Sequence, residues 1–388
     1  MAQSMVLKLL QLTKKLICMK IIILAPMLWN SIGGHPIELA KVLSDKHQID
    51  YLEPIVHSSN LPISFKITSN NTVPKNVNII KRSTNLGANF FYLIYTEYKN
   101  LLYFIKEDYD VYITYHTTFN ILGIIFAKLT GKKVVLIYVD DLSDLFKVLL
   151  IKIFTKYLFT PLVASLSGLI IVTSYKLKKS IDLFNRNIEY IPNGVNLHSF
   201  KVEDTFKEKS EFIVGFVGGF GNWINFDMVL KSAQFLMDNG VKFVLIGDGE
   251  MFNYVKDKIS ELKLDNIELL GVKSHTDLPK LICEMDICII PFKVNHLTDR
   301  VSPVKLFEYW SLKKPVISTS FYEIKKIAKD KVIFVNNSKE LSYSILKFKN
   351  NKNLCKKYGD IGYDEVRKNY DWNILAGKYE LLIKKLFI

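Results

Sequence analysis

The chain has 388 residues, long for one domain and enough for two of ordinary size, each burying its own core. With 49% apolar residues it is not a disordered chain, and its four cysteines, at 18, 283, 288 and 355, form no CxxC pair and no Cys/His cluster; this argues against a disulfide framework and structural zinc, and suits a reducing compartment. The net charge of +14 invites nucleic acid, an anionic membrane surface or phosphorylated small molecules, and because the lysines are spread among Ile, Leu, Phe and Tyr rather than gathered in one block, the last two rank first.

The first 18 residues are basic and apolar, but no small-residue cleavage site follows them. A buried-strand pattern starts at Met19-Lys20-Ile21, so the segment before it is expected to be dispensable for the fold. Strand-like runs follow at Lys20–Ala25, Val77–Ile80, Val111–Thr114, Val134–Tyr138 and Leu169–Thr173. A second series occupies Phe212–Val217, Phe243–Ile246, Ile267–Leu269, Ile287–Ile290, Val316–Ser318 and Val332–Val335. Continuous β-branched runs separated by helical stretches mark parallel sheets buried on both faces. Two such series predict two doubly wound, Rossmann-like α/β domains facing a central cleft.

Pro192-Asn193-Gly194 is turn chemistry, and the charged stretch from Lys201 to Glu211 reads as a linker. The expected division is an extension over 1–18, a first domain over 19–195, a second over 196–370 and a C-terminal helix over 371–388 that packs back on the first domain. No convincing transmembrane helix emerges. The most apolar region, Phe146 to Val172, is interrupted by Lys147, Lys152, Lys156 and Pro161, and reads as two amphipathic helices parted near Pro161.

In open parallel sheets ligands bind beyond the carboxyl ends of the strands, so the candidate residues are sought there. The strongest segment is Ser302-Pro303-Val304-Lys305-Leu306-Phe307-Glu308-Tyr309. Ser302 and Pro303 read as a cap followed by the first helical residue. The helix N-terminus and Lys305 suit a phosphate, and Glu308, on the same face about one turn deeper, suits the vicinal hydroxyls of a ribose. A capped surface helix with a Lys–Glu pair explains the spacing equally well.

Gly215, Gly218, Gly219 and Gly221 follow a strand without GxGxxG spacing, either as a loop that lets backbone approach a phosphate or as a plain turn. Trp29-Asn30-Ser31-Ile32-Gly33-Gly34-His35-Pro36 is a similar loop after the first strand. There His35 is a proton carrier or phosphate contact, or merely bonds a loop carbonyl. Asp140 and Asp141 end a strand and are the candidates for a general base, with His116 as runner-up; the competing role for one aspartate is to cap a helix through Ser143. Asp108-Tyr109-Asp110 matches a metal-binding DxD but precedes its strand, so no metal site and no divalent requirement are expected. Dense Tyr and Phe from Phe90 to Phe104, with Lys99 and Lys106, and the run Phe146–Phe159 are either core stripes or surfaces that lie against a bilayer.

Ser302 to Tyr309, continuing to Lys314-Pro315-Val316-Ile317-Ser318-Thr319, resembles the nucleotide-sugar-binding segment of GT-B glycosyltransferases. The resemblance is to the branch of glycosyltransferase family four that includes teichuronic-acid-type enzymes of surface polysaccharide synthesis. It extends through Ile191–Val195, Val214–Gly219 with Trp223-Ile224, Phe243–Gly249 and Gly271-Val272, and so covers nearly the whole chain. It implies that Lys305 contacts the diphosphate, Glu308 holds the ribose, Ser302 and Leu306 flank them, Val272 lies near the base, and Gly34, His35, Gly218 and Gly219 face the donor. It further implies an Asp in the region of Asp140 and Asp141 as base, and no cofactor beyond the nucleotide-sugar substrate.

Many members carry a Glu eight residues before the one matching Glu308; here that position is Arg300, beside Asp299. The expected function is transfer from a UDP- or GDP-linked sugar to a glycan or lipid-linked acceptor, in the cytoplasm or peripherally at the inner membrane face. A nucleotide-sugar 2-epimerase of the same fold, or a non-catalytic nucleotide-sugar or glycan binder, are the alternatives; no nucleic-acid partner is expected.

Overall fold

The computed structural model describes residues 17–31, 34–57, 71–84, 90–118, 120–141, 149–201 and 211–388. Residues 1–16, most of the proposed linker, Ile32, Gly33, Ser143 and the segment Phe146–Val148 therefore lie outside the described residues. The chain divides into two compact units, one formed by Met1–Pro192 with Leu375–Ile388, the other by Asn193–Ile374.

The first unit contains β1 (Lys20–Leu24), β2 (Gln48–Leu52), β3 (Val56–His57), β4 (Val77–Ile80), β5 (Ser83–Thr84), β6 (Val111–Tyr115), β7 (Lys133–Tyr138), β8 (Leu169–Val172) and β9 (Ile188–Tyr190). A parallel sheet runs in the order β4-β2-β1-β6-β7-β8-β9, and β3 pairs with β5 beside it. Its helices are α1 (His35–Leu43), α2 (Phe90–Lys106), α3 (Ile121–Leu129), α4 (Leu149–Phe154), α5 (Thr160–Leu166) and α6 (Tyr175–Ile181). The central strands read IIIL, VYITY, VVLIY and LIIV and are buried on both faces, as a sheet covered by helices on each side requires. Each such Ile, Val or Leu withdrawn from water contributes about 1.5–3 kcal/mol.

The second unit repeats the plan with β10 (Phe212–Val217), β11 (Val241–Ile246), β12 (Ile267–Gly271), β13 (Ile287–Ile290), β14 (Val316–Thr319) and β15 (Ile333–Val335). These form a parallel sheet in the order β12-β11-β10-β13-β14-β15. Around it lie α7 (Phe226–Phe235), α8 (Phe252–Glu261), α9 (Leu278–Cys283), α10 (Val304–Ser311), α11 (Tyr322–Ala328), α12 (Ser338–Lys349) and α13 (Lys352–Asn369). The last helix, α14 (Trp372–Lys385), belongs to the first unit from Leu375 onward. There Glu380 pairs with Lys46 at 2.9 Å, and Lys133 sits 5.5 Å from the Phe387 ring.

The two Rossmann-like α/β units are those expected from the apolar runs. Four strands were not expected from the sequence, the two-residue strands β3 and β5 and, in the seven-stranded sheet, β2 and β9. In β2, Gln48 and Asp50 break the apolar run, and β9 is only three residues long at the sheet edge. The parting expected near Pro161 is corrected. A π-helical turn, Thr155–Phe159, joins α4 directly to α5, and the Thr160 N–H bonds the Thr155 carbonyl. Proline has no N–H to give the ladder; a widened turn just before it absorbs that loss without ending the helix. Among the described residues no helix is long and apolar enough to cross a membrane.

Candidate donor site of the second unit

The best-defined grouping of candidate residues lies at the carboxyl ends of β10 to β13. α10 is anchored over β10 by Tyr309, whose buried hydroxyl accepts from the Val217 N–H at 2.9 Å. That fixes the first turn of α10 against the loop that leaves β10. The Lys305 side chain then lies across Gly218, where any Cβ would collide with its Cε and Nζ atoms, and Gly218 has φ +150°, a conformation L side chains rarely adopt. Gly247, at the end of β11, has φ +143°, and a Cβ there would strike the Gly218 carbonyl oxygen. The glycine cluster thus makes room for a lysine and for a neighbouring loop. Gly219 beside it faces open space, since a Cβ added there meets nothing within 4 Å.

Glu308 follows Lys305 by three residues on the same helix and exposes 13% of its side chain. His275, in the loop after β12, brings Nε2 to 3.8 Å from Glu308 Oε1 and sets its ring edge against Phe200 at 5.3 Å between centroids. Burial alone would raise the Glu308 carboxyl, but the His275 hydrogen bond and charge, with the Lys305 charge, outweigh it and hold the group below the usual carboxylate range. Lys305 moves the opposite way to a normal ion-pair partner: burial lowers its pKa, with Glu308 only partly compensating. A desolvated ammonium beside a carboxylate, at the carboxyl edge of a parallel sheet, is suited to a phosphate and to hydroxyls that bond an anion.

The helix start expected at this segment is corrected. Ser302 does not cap the helix: α10 begins at Val304, and the Ser302 hydroxyl accepts from the Asn193 N–H at 3.0 Å, tying Asn193 to the segment that leads into α10. Pro303 therefore stands at the cap position itself, with no side-chain acceptor to offer. Leu306 is fully buried in the core and its N–H bonds the Pro303 carbonyl at 3.0 Å, so its side chain is a packing group. Val272 is 40% exposed at the end of β12, one residue past Gly271. Asp299 accepts from the Tyr322 N–H at 2.7 Å at the start of α11, and Arg300 meets His296 Nε2 at 2.8 Å. The sequence reading did not include His275, and nothing in Ser274-His275-Thr276 distinguishes it from a turn.

In the first unit the three candidates for a base come together at the ends of β6 and β7. His116 is wholly buried, contacts Thr160 Oγ1 at 2.8 Å, and feels the charge of Asp141 and a hydrogen bond to the Asp140 backbone. Burial pushes its pKa down to about 4, so the ring is neutral near pH 7. Asp141 is buried and Asp140 exposed. Gly34 packs against Met27 at the start of α1. His35 next to it meets the Tyr115 and Tyr379 hydroxyls, each at 2.7 Å, and burial lowers it to about 3. It is a neutral ring with a tyrosine hydroxyl on each nitrogen.

Asp108 pairs with Lys132, and Asp110 accepts from the Lys20 N–H at 2.9 Å, both at the entry of β6. Among the described residues no group of three or more His, Cys, Asp or Glu is placed to hold a metal.

Two parallel-sheet units of this plan define the GT-B glycosyltransferase fold, and solved structures of that class share it. Sucrose-phosphate synthase of Thermosynechococcus elongatus has TM-score 0.74 at 14% identity, over 95% of this chain and 99% of that one. The HepE protein of Anabaena, solved in complex with UDP and glucose, has TM-score 0.67 at 14% identity, over 93% and 98%. Residues 199–365, which hold His275, Lys305 and Glu308, match the family of glycosyl transferases group 1. A putative teichuronic acid biosynthesis glycosyltransferase of Bacillus subtilis, TuaH, is 25% identical over 212 residues, 51% of each chain; the match spans about half the length of that relative.

Proposed function

We propose that the chain transfers a sugar from a nucleotide-diphosphate sugar to a glycan or lipid-linked acceptor in surface polysaccharide or glycoconjugate synthesis. The observation that carries this reading is the placement of Lys305 across Gly218, with Glu308 one turn deeper and paired to His275. Lys305 binds the diphosphate and stabilises the charge that grows on it as the glycosidic bond breaks. Glu308 accepts hydrogen bonds from the ribose hydroxyls, and its lowered pKa keeps it an acceptor at neutral pH. The lysine and the helix N-terminus take the role a divalent ion would otherwise have, so the transfer is read as metal-independent.

The acceptor hydroxyl that attacks the anomeric carbon must lose a proton, and the exposed Asp140 is the carboxylate assigned to take it. His116 bonds the Asp140 backbone and feels the Asp141 charge beside it. UDP is the first nucleotide to test, because the Anabaena relative was solved with it, and TuaH points to a surface polysaccharide as product. The acceptor is read as reached from an anionic membrane surface.

The experiment is thermal unfolding with a panel of nucleotide sugars, EDTA present, on the wild type and on Glu308→Ala. One UDP- or GDP-sugar should stabilise the wild type, by roughly 3 kcal/mol at a hundredfold excess over Kd, and leave the variant unmoved. No shift with any nucleotide sugar removes the donor site.

A further inference from the structure

A pocket of about 350 Å³ lies in the first unit, away from Asp140 and His116, between the end of β4 and the outer side of α2. Four cations line it, Lys81, Arg82, Lys99 and Lys106, together with Tyr95 and Tyr103, and no acidic side chain is among the lining residues.

The charges are arranged, not scattered. Arg82 is fixed by its Nε bond to the Glu53 carbonyl at 2.8 Å and its Nη1 bond to Asn100 Oδ1 at 2.6 Å, with the Tyr103 ring 5.9 Å away. Lys99 lies over Tyr95 at 5.5 Å. Of the nearby acids, Glu53 is close enough for its charge to act on Arg82, and Glu107, beside Lys106, pairs with Lys20 at 2.8 Å. Glu97 of α2 caps α3 through the Ile121 and Leu122 N–H groups at 2.8 and 3.0 Å, and the Glu53 carboxylate accepts from the Trp29 N–H at 2.8 Å. A concentrated positive pocket with immobilised guanidinium geometry is what a phosphate monoester or diester requires.

The wall of the pocket continues into an apolar surface. Leu102 lines it, and with Ile94, Tyr98 and Ile105 forms an exposed stripe along one side of α2, Ile105 being 54% exposed. α2 packs on α3 and α3 on α5, so the same outer layer carries Leu129 of α3 and, from α4 through the π turn, Leu150, Phe154 and Tyr157. Leu129 is 82% and Leu150 77% exposed. From residue 145 to 181 the sequence has no Asp or Glu, while Lys152 and Lys156 stand exposed among these side chains. An apolar layer with a basic pocket at its edge has the chemistry of a bilayer interface: acyl chains for the stripe, a phosphate for the cations.

We infer that the pocket between β4 and α2 binds the phosphate of a membrane lipid, and that the exposed faces of α2, α3 and α4 rest on the bilayer around it. This deepens the membrane part of the proposed function and rests on that part alone. The donor site in the second unit can fail its test and leave it standing.

The test is co-sedimentation of the full chain with phosphatidylcholine vesicles with and without phosphatidic acid. The variants are Lys99→Glu/Lys106→Glu and Ile94→Ser/Tyr98→Ser, all exposed or half-exposed positions, with the thermal midpoint checked for unchanged folding. Expected are binding that requires phosphatidic acid, a loss of at least about tenfold in the charge variant, and a loss of vesicle binding in the apolar variant. Equal binding to vesicles without phosphatidic acid, or undiminished binding by the charge variant, overturns the site. Binding of inorganic phosphate that depends on Lys99 and Lys106, without any vesicle binding, overturns the lipid as its source.

Discussion

At the strand ends of the first unit, His35 and His116 are enclosed among tyrosines, Thr160 and the backbone of Asp140, and burial holds both as neutral rings with values near 3 and 4. At the strand ends of the second unit His275 lies against a carboxylate, and Glu308 is held ionised beside a desolvated lysine. The same fold has thus made one edge that suppresses charge and another that preserves it. A nucleotide diphosphate needs fixed charge, whereas a sugar hydroxyl being deprotonated needs a single accessible base in neutral surroundings. On the proposed function, the second unit would serve the donor and the first the acceptor.

The sharpest way to break that comparison is at Asp140. If the first unit supplies the base, Asp140→Asn should lower transfer by about 10²–10⁴-fold while nucleotide-sugar stabilisation of the second unit stays intact. Assays of turnover and of thermal shift on the same preparation check it. Transfer at the wild-type rate would move the base elsewhere.

Much of the frame behind this comparison was legible beforehand. Runs such as Ile21-Ile22-Ile23-Leu24 and Phe243-Val244-Leu245-Ile246 have one physical explanation, a strand covered on both faces, and they became central strands. Gln48–Leu52 did not announce itself, because a strand next to the sheet edge tolerates Gln48 and Asp50, and the latter bonds the Tyr109 hydroxyl. Lys305 and Glu308 could be read because helix spacing is local. The cap at Ser302 could not, since its hydroxyl was taken by Asn193, distant in sequence, and His275 became a site residue only through folding of the loop after β12.

Acid offers a second, smaller test. In the unfolded chain His116 takes up its proton around 6.5, but in the folded first unit only near 4. Its contribution is therefore fully present above the unfolded value and is lost as pH falls from there toward the folded one. At about 1.4 kcal/mol per unit, this amounts to roughly 3 kcal/mol. Urea unfolding at neutral pH and in the acid window should show that loss in the wild type. His116→Gln, which cannot take up a proton, should show a shallower slope; equal slopes would mean that the neutral ring of the first unit is not what acid attacks.

The smallest effect expected is at His275, and it tests the other half of the contrast. Removing the imidazole leaves the Lys305 charge to hold the Glu308 carboxyl down, so its value should rise toward the ordinary one. For a carboxylate whose folded value is depressed, the stabilisation is present above the unfolded value and lost as pH falls through the folded one. If Glu308 holds the ribose in its ionised form, as proposed, the pH at which nucleotide-sugar affinity fails should move upward in His275→Ala, with a loss of up to about fivefold at neutral pH from the missing imidazole 3.8 Å away. A purely packing role against Phe200 would lower affinity equally at every pH. A shifted pH profile shows that the second unit maintains its charge through a partner outside α10, as the first unit maintains neutrality through partners outside β6.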